Sequence, residues 1–242
     1  MIEAAFWGFV GGAALLVGAL VGILTQIPQR VIGAIMGFGA GVLISAVAFE
    51  LTTDAFERGG TIALSLGLAG GALTFFAADY VVDHRGGDKR KRSSGQPADG
   101  SATALLIGAL LDGIPESIAI GVSLLGGGGV GLPVVAAVFL SNVPESLSAA
   151  TGMKKAGRSH AYVLGLWGAV AAVSAVAAAL GYGLLGDASP AVIAFIQAFA
   201  AGAILTMLAD TMMPEAFEDS GSFVGLLTVL GFTLAFLLST VE

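Results

Sequence analysis

The sequence predicts an all-α integral membrane protein of eight transmembrane helices in a 3+2+3 inverted-repeat arrangement. Three observations lead there. Hydrophobic side chains fill 56% of the 242 positions, and 37 glycines raise the non-polar share to roughly 71%. Charged residues fall to 11%, against about 25% in a soluble domain. Mean hydropathy is +0.93, and apolar runs of about 20 residues recur along the whole chain. So few charges cannot cover a water-soluble globule. A net charge of −7 excludes a nucleic-acid partner, and the absence of cysteine excludes disulfides, thiolate metal sites and cysteine catalysis.

The first run, 4–25, carries Glu3 where a secretory leader would carry basic residues, so it reads as a permanent span. The remaining spans are placed at 31–52, 61–82, 102–124, 131–152, 160–184, 189–212 and 222–240. Short polar or Gly/Pro-rich connectors at 26–30, 57–60, 126–131, 154–159, 186–190 and 215–221 separate them. Residues 83–101 (DHRGGDKRKRSSGQPADGS) form the one long connector and read as a mobile, solvated loop. The chain is thus a single transmembrane domain over 1–242: repeat 1 over 4–82, central helices over 102–152 and repeat 2 over 160–240.

Basic residues set the orientation. With the 83–101 loop in the cytoplasm, Arg85, Lys89, Arg90, Lys91 and Arg92 lie inside, together with Arg30, Lys154, Lys155 and Arg158. Only Arg58 is then outside, and both termini face outward. The expected setting is a prokaryotic plasma membrane, with the lipid bilayer as the first partner. The basic cluster reads as a headgroup contact.

An internal repeat appears at an offset of 161 residues. Ile35, Phe38, Ala40, Gly41, Ala48, Ala55, Phe56, Glu57 and Gly60 have identical partners from Ile196 to Gly221. The copies lie five spans apart, an odd number, so they run in opposite senses. Inverted repeats of this kind characterise secondary transporters with a substrate site near the midplane.

The central helices resemble each other at an offset of 29. Leu111-Asp112-Gly113-Ile114-Pro115-Glu116-Ser117 pairs with Leu140-Ser141-Asn142-Val143-Pro144-Glu145-Ser146. A carboxylate at the bilayer centre is unfavourable by about 2.5–3.5 kcal/mol. Asp112, Glu116 and Glu145 must therefore meet a cavity, a cation or a neutralising proton. Asp112 and Glu116 share a helix face at i,i+4, with Ser123 further along it; Ser141, Glu145 and Ser148 form the matching stripe beside Asn142. Pro115 and Pro144 deprive the Leu111 and Leu140 carbonyls of helical partners. Carboxylate, amide, hydroxyl and carbonyl oxygens at one depth make a cation site.

These two motifs resemble those of the ZIP (Zrt/Irt-like) divalent-metal transporters, whose helices 4 and 5 carry His-Asn-x-Pro-Glu-Gly or His-x-x-x-Glu patterns. The eight spans, outward termini, long loop between helices 3 and 4, and 3+2+3 layout fit that family. The resemblance implies transport of a divalent cation by alternating access, with helices 1, 4, 5 and 6 moving against 2, 3, 7 and 8. It implies ligands at Asp112, Gly113, Glu116, Ser141, Asn142 and Glu145. The chain departs from the pattern where Asp112 and Ser141 replace histidines, Gly113 replaces asparagine, and Ser117 and Ser146 replace glycines. Span 6 has no acidic residue for a second metal. Zinc is the ion the family implies, whereas an oxygen-only ligand set equally suits manganese or iron. No organic cofactor is implied.

Glu50 and Asp210 lie deep enough to line a cation pathway, whereas Glu57, Glu215, Glu218 and Asp219 read as solvated helix ends and Asp79 as an interfacial residue. His84 and His160 fall in or beside loops, and Met207, Met212 and Met213 read as packing. Gly- and Ala-rich stripes suit close helix packing and a homodimer face. The alternative function is a proton-coupled carrier of a small organic solute using the same carboxylates. An enzyme is not expected: neither His-Glu-x-x-His nor an aspartate-rich phosphate-binding signature is present.

Overall fold

Hydrocarbon offers no partner to backbone N–H and C=O groups, so an apolar chain of this kind closes its hydrogen bonds within helices. A computed structural model of the chain describes residues 1–87, 90, 93–94, 102–126 and 131–240. Among these residues there are α-helices at Ile2–Leu24 (α1), Gln29–Ala46 (α2), Thr52–Val82 (α3), Ala102–Ser123 (α4), Leu132–Lys155 (α5), His160–Leu185 (α6), Pro190–Met207 (α7), Met213–Ser220 (α8) and Val224–Ser239 (α9), and no strand. Six helical stretches among them are long and apolar enough to cross a bilayer. The outer surface carries exposed Ile62, Leu73, Leu184 and Leu226 where a soluble protein would carry charge. This is an all-α, integral multi-pass membrane protein.

Two of those stretches are longer than one crossing requires. Gln29–Gly87 runs for 59 residues and Pro190–Ser239 for 50. At 1.5 Å per residue the longer would extend about 88 Å, nearly three times a ~30 Å hydrocarbon core. The connectors expected at 57–60 and 215–221 are instead carried through as helix, and each contains one residue that redirects the chain. Gly60 has φ 66° and ψ −172°, and Gly221 has φ 67° and ψ −158°. Side chains are excluded from this backbone region, which explains glycine at both places.

Each long stretch also contains a wider π-helical turn, at Val47–Leu51 and at Leu208–Met212. Both the turns and the two positive-φ glycines are separated by 161 residues, the offset of the sequence repeat. A third π-helical turn, Asp83–Gly87, extends α3 into the segment expected to be loop.

Small residues let the helix backbones touch. A Cβ on Gly8 would strike Ser174 and Ala178 of α6, and one on Gly18 would strike the Val143 carbonyl and Ser146 of α5. Glycines therefore wedge α1 between α5 and α6. Gly41 and Gly231 do the same for α2 against α9, and Gly71 and Gly202 for α3 against α7. The strongest packing follows these seams: α1 with α5 and α6, α4 with α6, α2 with α9, and α3 with α7. One apolar core holds Ile32, Met36, Leu43, Met207 and Met212; a second gathers Leu15, Ala150, Val163 and Trp167. Met207 and Met212 are thus packing residues, as their sequence context indicates.

Gly60→Ala and Gly221→Ala should each cost roughly 1–3 kcal/mol through strain at positive φ. Gly165→Ala and Gly225→Ala, where an added Cβ meets nothing within 4 Å, should leave stability unchanged. Melting temperatures of the four variants in detergent test the contrast.

Candidate metal site between the central helices

The two Pro-Glu-Ser motifs sit in mid-helix, and α4 and α5 continue as helix past Pro115 and Pro144. Their serines make equivalent contacts. Ser117 Oγ donates to the Gly113 carbonyl at 2.6 Å, and Ser146 Oγ donates to the Asn142 carbonyl at 2.7 Å. The 29-residue similarity thus extends to side-chain hydrogen bonding, and these hydroxyl protons are used within their own helices.

All five candidate ligands, Asp112, Glu116, Ser141, Asn142 and Glu145, are buried. Asp112 of α4 and Glu145 of α5 line one small cavity, of about 10 Å³, together with Leu105, Ala109, Met153 and Trp167. That volume is close to the room one water needs. Trp167 buries its Nε1 there without a hydrogen-bond partner among the described residues. Glu116, Ser141 and Asn142 are not on the wall of this cavity. Ser141 Oγ donates to the Val138 carbonyl at 3.0 Å, and Asn142 Nδ2 donates to the Gly11 carbonyl of α1 at 3.1 Å. Asn142 therefore ties α5 to α1 through its amide nitrogen, leaving the amide oxygen as the end suited to a cation. Gly113 has open surroundings: an added Cβ would meet only ordinary contacts with Val170 and Ser174. Among the described residues, no three His, Cys, Asp or Glu side chains converge closely enough to hold a metal ion in this arrangement.

A positive charge of the chain's own lies at the site instead. Arg90, expected to be solvated within a mobile loop, is 5% exposed and lines the Asp112–Glu145 cavity. Its Nε and Nη2 donate to the two Asp112 oxygens, each at 3.3 Å; Nη2 also donates to Asp79 at 2.5 Å, and Nη1 to Asp83 at 3.2 Å. The solvated reading is overturned by these ion pairs. An arginine beside three carboxylates gains more from charge-assisted bonds than it loses in leaving water. Burial works against the guanidinium charge, but Asp112 and Asp79 outweigh it and hold its pKa above that of a free arginine. Asp79 is correspondingly buried in an ion pair with Arg90.

The same segment is held at a second point. Ser93, fully buried, donates to Asp219 at 2.6 Å, and Lys155 Nζ donates to the Ser93 carbonyl at 2.8 Å. Asp219 is thus a docking residue as well as a helix end. Lys89, Lys91, Arg92 and 95–101 lie outside the described residues.

The two candidate pathway acids stand away from the cavity wall. Glu50 is half-buried in the Val47–Leu51 turn, and Asp210 is exposed in the Leu208–Met212 turn. In the first turns of α3, Asp54 is paired with Arg58 at 2.7 Å.

Sequence reasoning missed Arg90, Asp79 and Asp83 as neighbours of the site. The available signal was the i,i+4 spacing of Asp79 and Asp83 at the end of a span, immediately before a basic run. Composition could not tell which of the basic residues turns inward.

No protein-family model matches the chain. Zinc transporter ZupT of Salmonella heidelberg (strain SL476) is 31% identical over 222 residues, covering 86% of this chain and 84% of the relative. The ZupT protein of Salmonella newport (strain SL254) matches with the same identity and coverage. The chain belongs to the ZIP family. A more distant match, at 27% identity over 211 residues, is the Arabidopsis thaliana protein named "Putative zinc transporter At3g08650"; this ZIP chain spans only 33% of its length. Within the family layout, the α4 and α5 motifs of this chain present oxygen donors alone.

Asn142→Ala removes the bond to α1 and should lower stability by about 1 kcal/mol. Thermal unfolding of metal-free protein in detergent checks this separately from any effect on ion binding.

Proposed function

We propose that this ZIP-family chain is a divalent-metal transporter whose substrate ion passes between α4 and α5. The observation that carries the reading is the shared cavity of Asp112 and Glu145, one carboxylate from each Pro-motif helix, in the protein interior. Asp112, Glu116, Ser141, Asn142 and Glu145 are the proposed ligand set. Zinc is the substrate named for the bacterial relatives and the first candidate here. Manganese and iron are further candidates because every proposed donor is oxygen.

The proposed membrane layout has eight crossings: α1; α2 with the part of α3 before Gly60; the rest of α3; α4; α5; α6; α7 with α8; and α9. The division of Gln29–Gly87 at Gly60 and of Pro190–Ser239 at Gly221 supports this count. Inverted repeats are supported by the common 161-residue offset of the π-helical turns and these glycines. The seam α2–α9 then corresponds to α7–α3, and α1–α5 corresponds to α6–α4. Arg30, Lys155 and Arg90 lie toward one end: the Arg30 carbonyl accepts from Ser220, next to Asp219, whose partner Ser93 accepts at its carbonyl from Lys155. A cytoplasmic position for that end, with both termini outside, follows from the positive-inside bias.

Alternating access would move α1, α4, α5 and α6 against α2, α3, α7, α8 and α9. The dense seams within each group support that division. Pathway roles for Glu50 and Asp210 belong to the same proposal, as acids near the two ends of the moving interface.

Purified protein in proteoliposomes should take up Zn²⁺, with Mn²⁺, Fe²⁺, Cd²⁺ and Mg²⁺ tested in parallel. Removing even an outer partner of a metal ligand costs about 10–100-fold in affinity or activity, so Glu116→Gln and Glu145→Gln should each reduce uptake by at least that amount. Unchanged uptake in the double substitution would sink the site; uptake of an organic solute that tracks pH and ignores metals would favour the carrier alternative.

A further inference from the structure

We propose that Arg90 is a tethered counter-cation of the transport site, held against Asp112 when no metal ion is bound and displaced when one arrives. This inference rests on the ligand set proposed above. Nε and Nη2 of Arg90 engage both oxygens of Asp112 from one edge of the guanidinium, at 3.3 Å each. A divalent ion coordinated by Asp112 would need the same oxygens and would repel the guanidinium at that distance. The two cations therefore exclude one another.

The seat for Arg90 is built into the helix. Gly108 lies one turn before Asp112 on α4. The three heavy atoms nearest a Cβ added at Gly108 are Cδ, Nε and Cζ of Arg90, with Nε only 2.7 Å away. A Cβ at 108 would therefore push Arg90 away from Asp112, and no other heavy atom outside its own helix backbone lies nearer to it. Asp79 and Asp83, at the end of α3, hold the other guanidinium edge, so three carboxylates from two parts of the fold orient one group. Contacts of Ser93 with Asp219 and Lys155 hold the following turn of chain against the bundle.

The consequence concerns the ion-free carrier. Buried carboxylates without a cation would have to take up protons or water to remain in the membrane interior. A guanidinium supplied by the chain neutralises Asp112 without either. Arg90 enters from the end proposed to be cytoplasmic, so its return would follow ion release on that side and oppose rebinding there.

If Arg90 occupies the site in nine of ten ion-free molecules, the apparent dissociation constant for metal is weakened about tenfold. Calorimetric titration of the purified full chain with Zn²⁺ alone tests this in four proteins: the parent, Arg90→Gln, Gly108→Ala and Glu145→Gln. Arg90→Gln and Gly108→Ala should both bind about tenfold more tightly than the parent. Gly108→Ala retains the arginine, so agreement between the two identifies displacement from the seat and excludes a simple change of net charge. Loss of binding in Glu145→Gln with parental or weaker affinity in both other variants overturns the counter-cation role. Parental binding in Glu145→Gln overturns the underlying ligand set instead. Should Arg90→Gln fail to fold, Gly108→Ala alone decides, because it disturbs no atom closer than the displaced arginine.

Discussion

Burying acidic side chains in the middle of a helical membrane protein is the constraint around which this molecule is organised. Each carboxylate kept from water and lipid demands a compensating charge or hydrogen bond, and the demand is steepest at mid-helix. Asp112 and Glu145 answer it by sharing a small, mostly apolar cavity with Arg90, whose guanidinium also reaches the acids at the end of α3. Arg90, beyond α3, is buried as a result.

Close helix approach provides the mechanical counterpart. Glycines on α1 bring it against α5 and α6, and those on α2, α3, α7 and α9 join two further seams. Lipid supplies no hydrophobic drive for helices to associate, so dispersion contact across these flat faces and a few polar bonds hold the bundle together. Asn142 to the Gly11 carbonyl is one such bond, placed two residues before Pro144. The residues that would contact an ion are thus positioned by helices that do not themselves supply ligands.

Helical class and membrane character were legible in the sequence, because bilayer thickness converts directly into run length. The 161-residue similarity was also legible, and it marks the places where wide turns and left-handed glycines recur. At 57–60 and 215–221 the polar composition indicated connectors, but the chain redirects through a single glycine in each while helix continues on either side. The two Pro-Glu-Ser motifs identified the buried acids. They did not reveal that Asn142 would bond to α1, since that depends on which backbone Gly11 exposes. Arg90 was illegible for a related reason: its burial follows from the gap at Gly108 and from Asp79 and Asp83, which lie 7 to 18 residues from it in sequence and meet it only in three dimensions.

Lys154 adds a final detail of leverage. Its ammonium, in the last turn of α5, donates to the Ile23 carbonyl in the last turn of α1 at 2.7 Å. It therefore sits at the negative pole of a neighbouring helix rather than its own. A clasp at that tip, added to the glycine-lined contact further along the pair, ties the two rods into one unit.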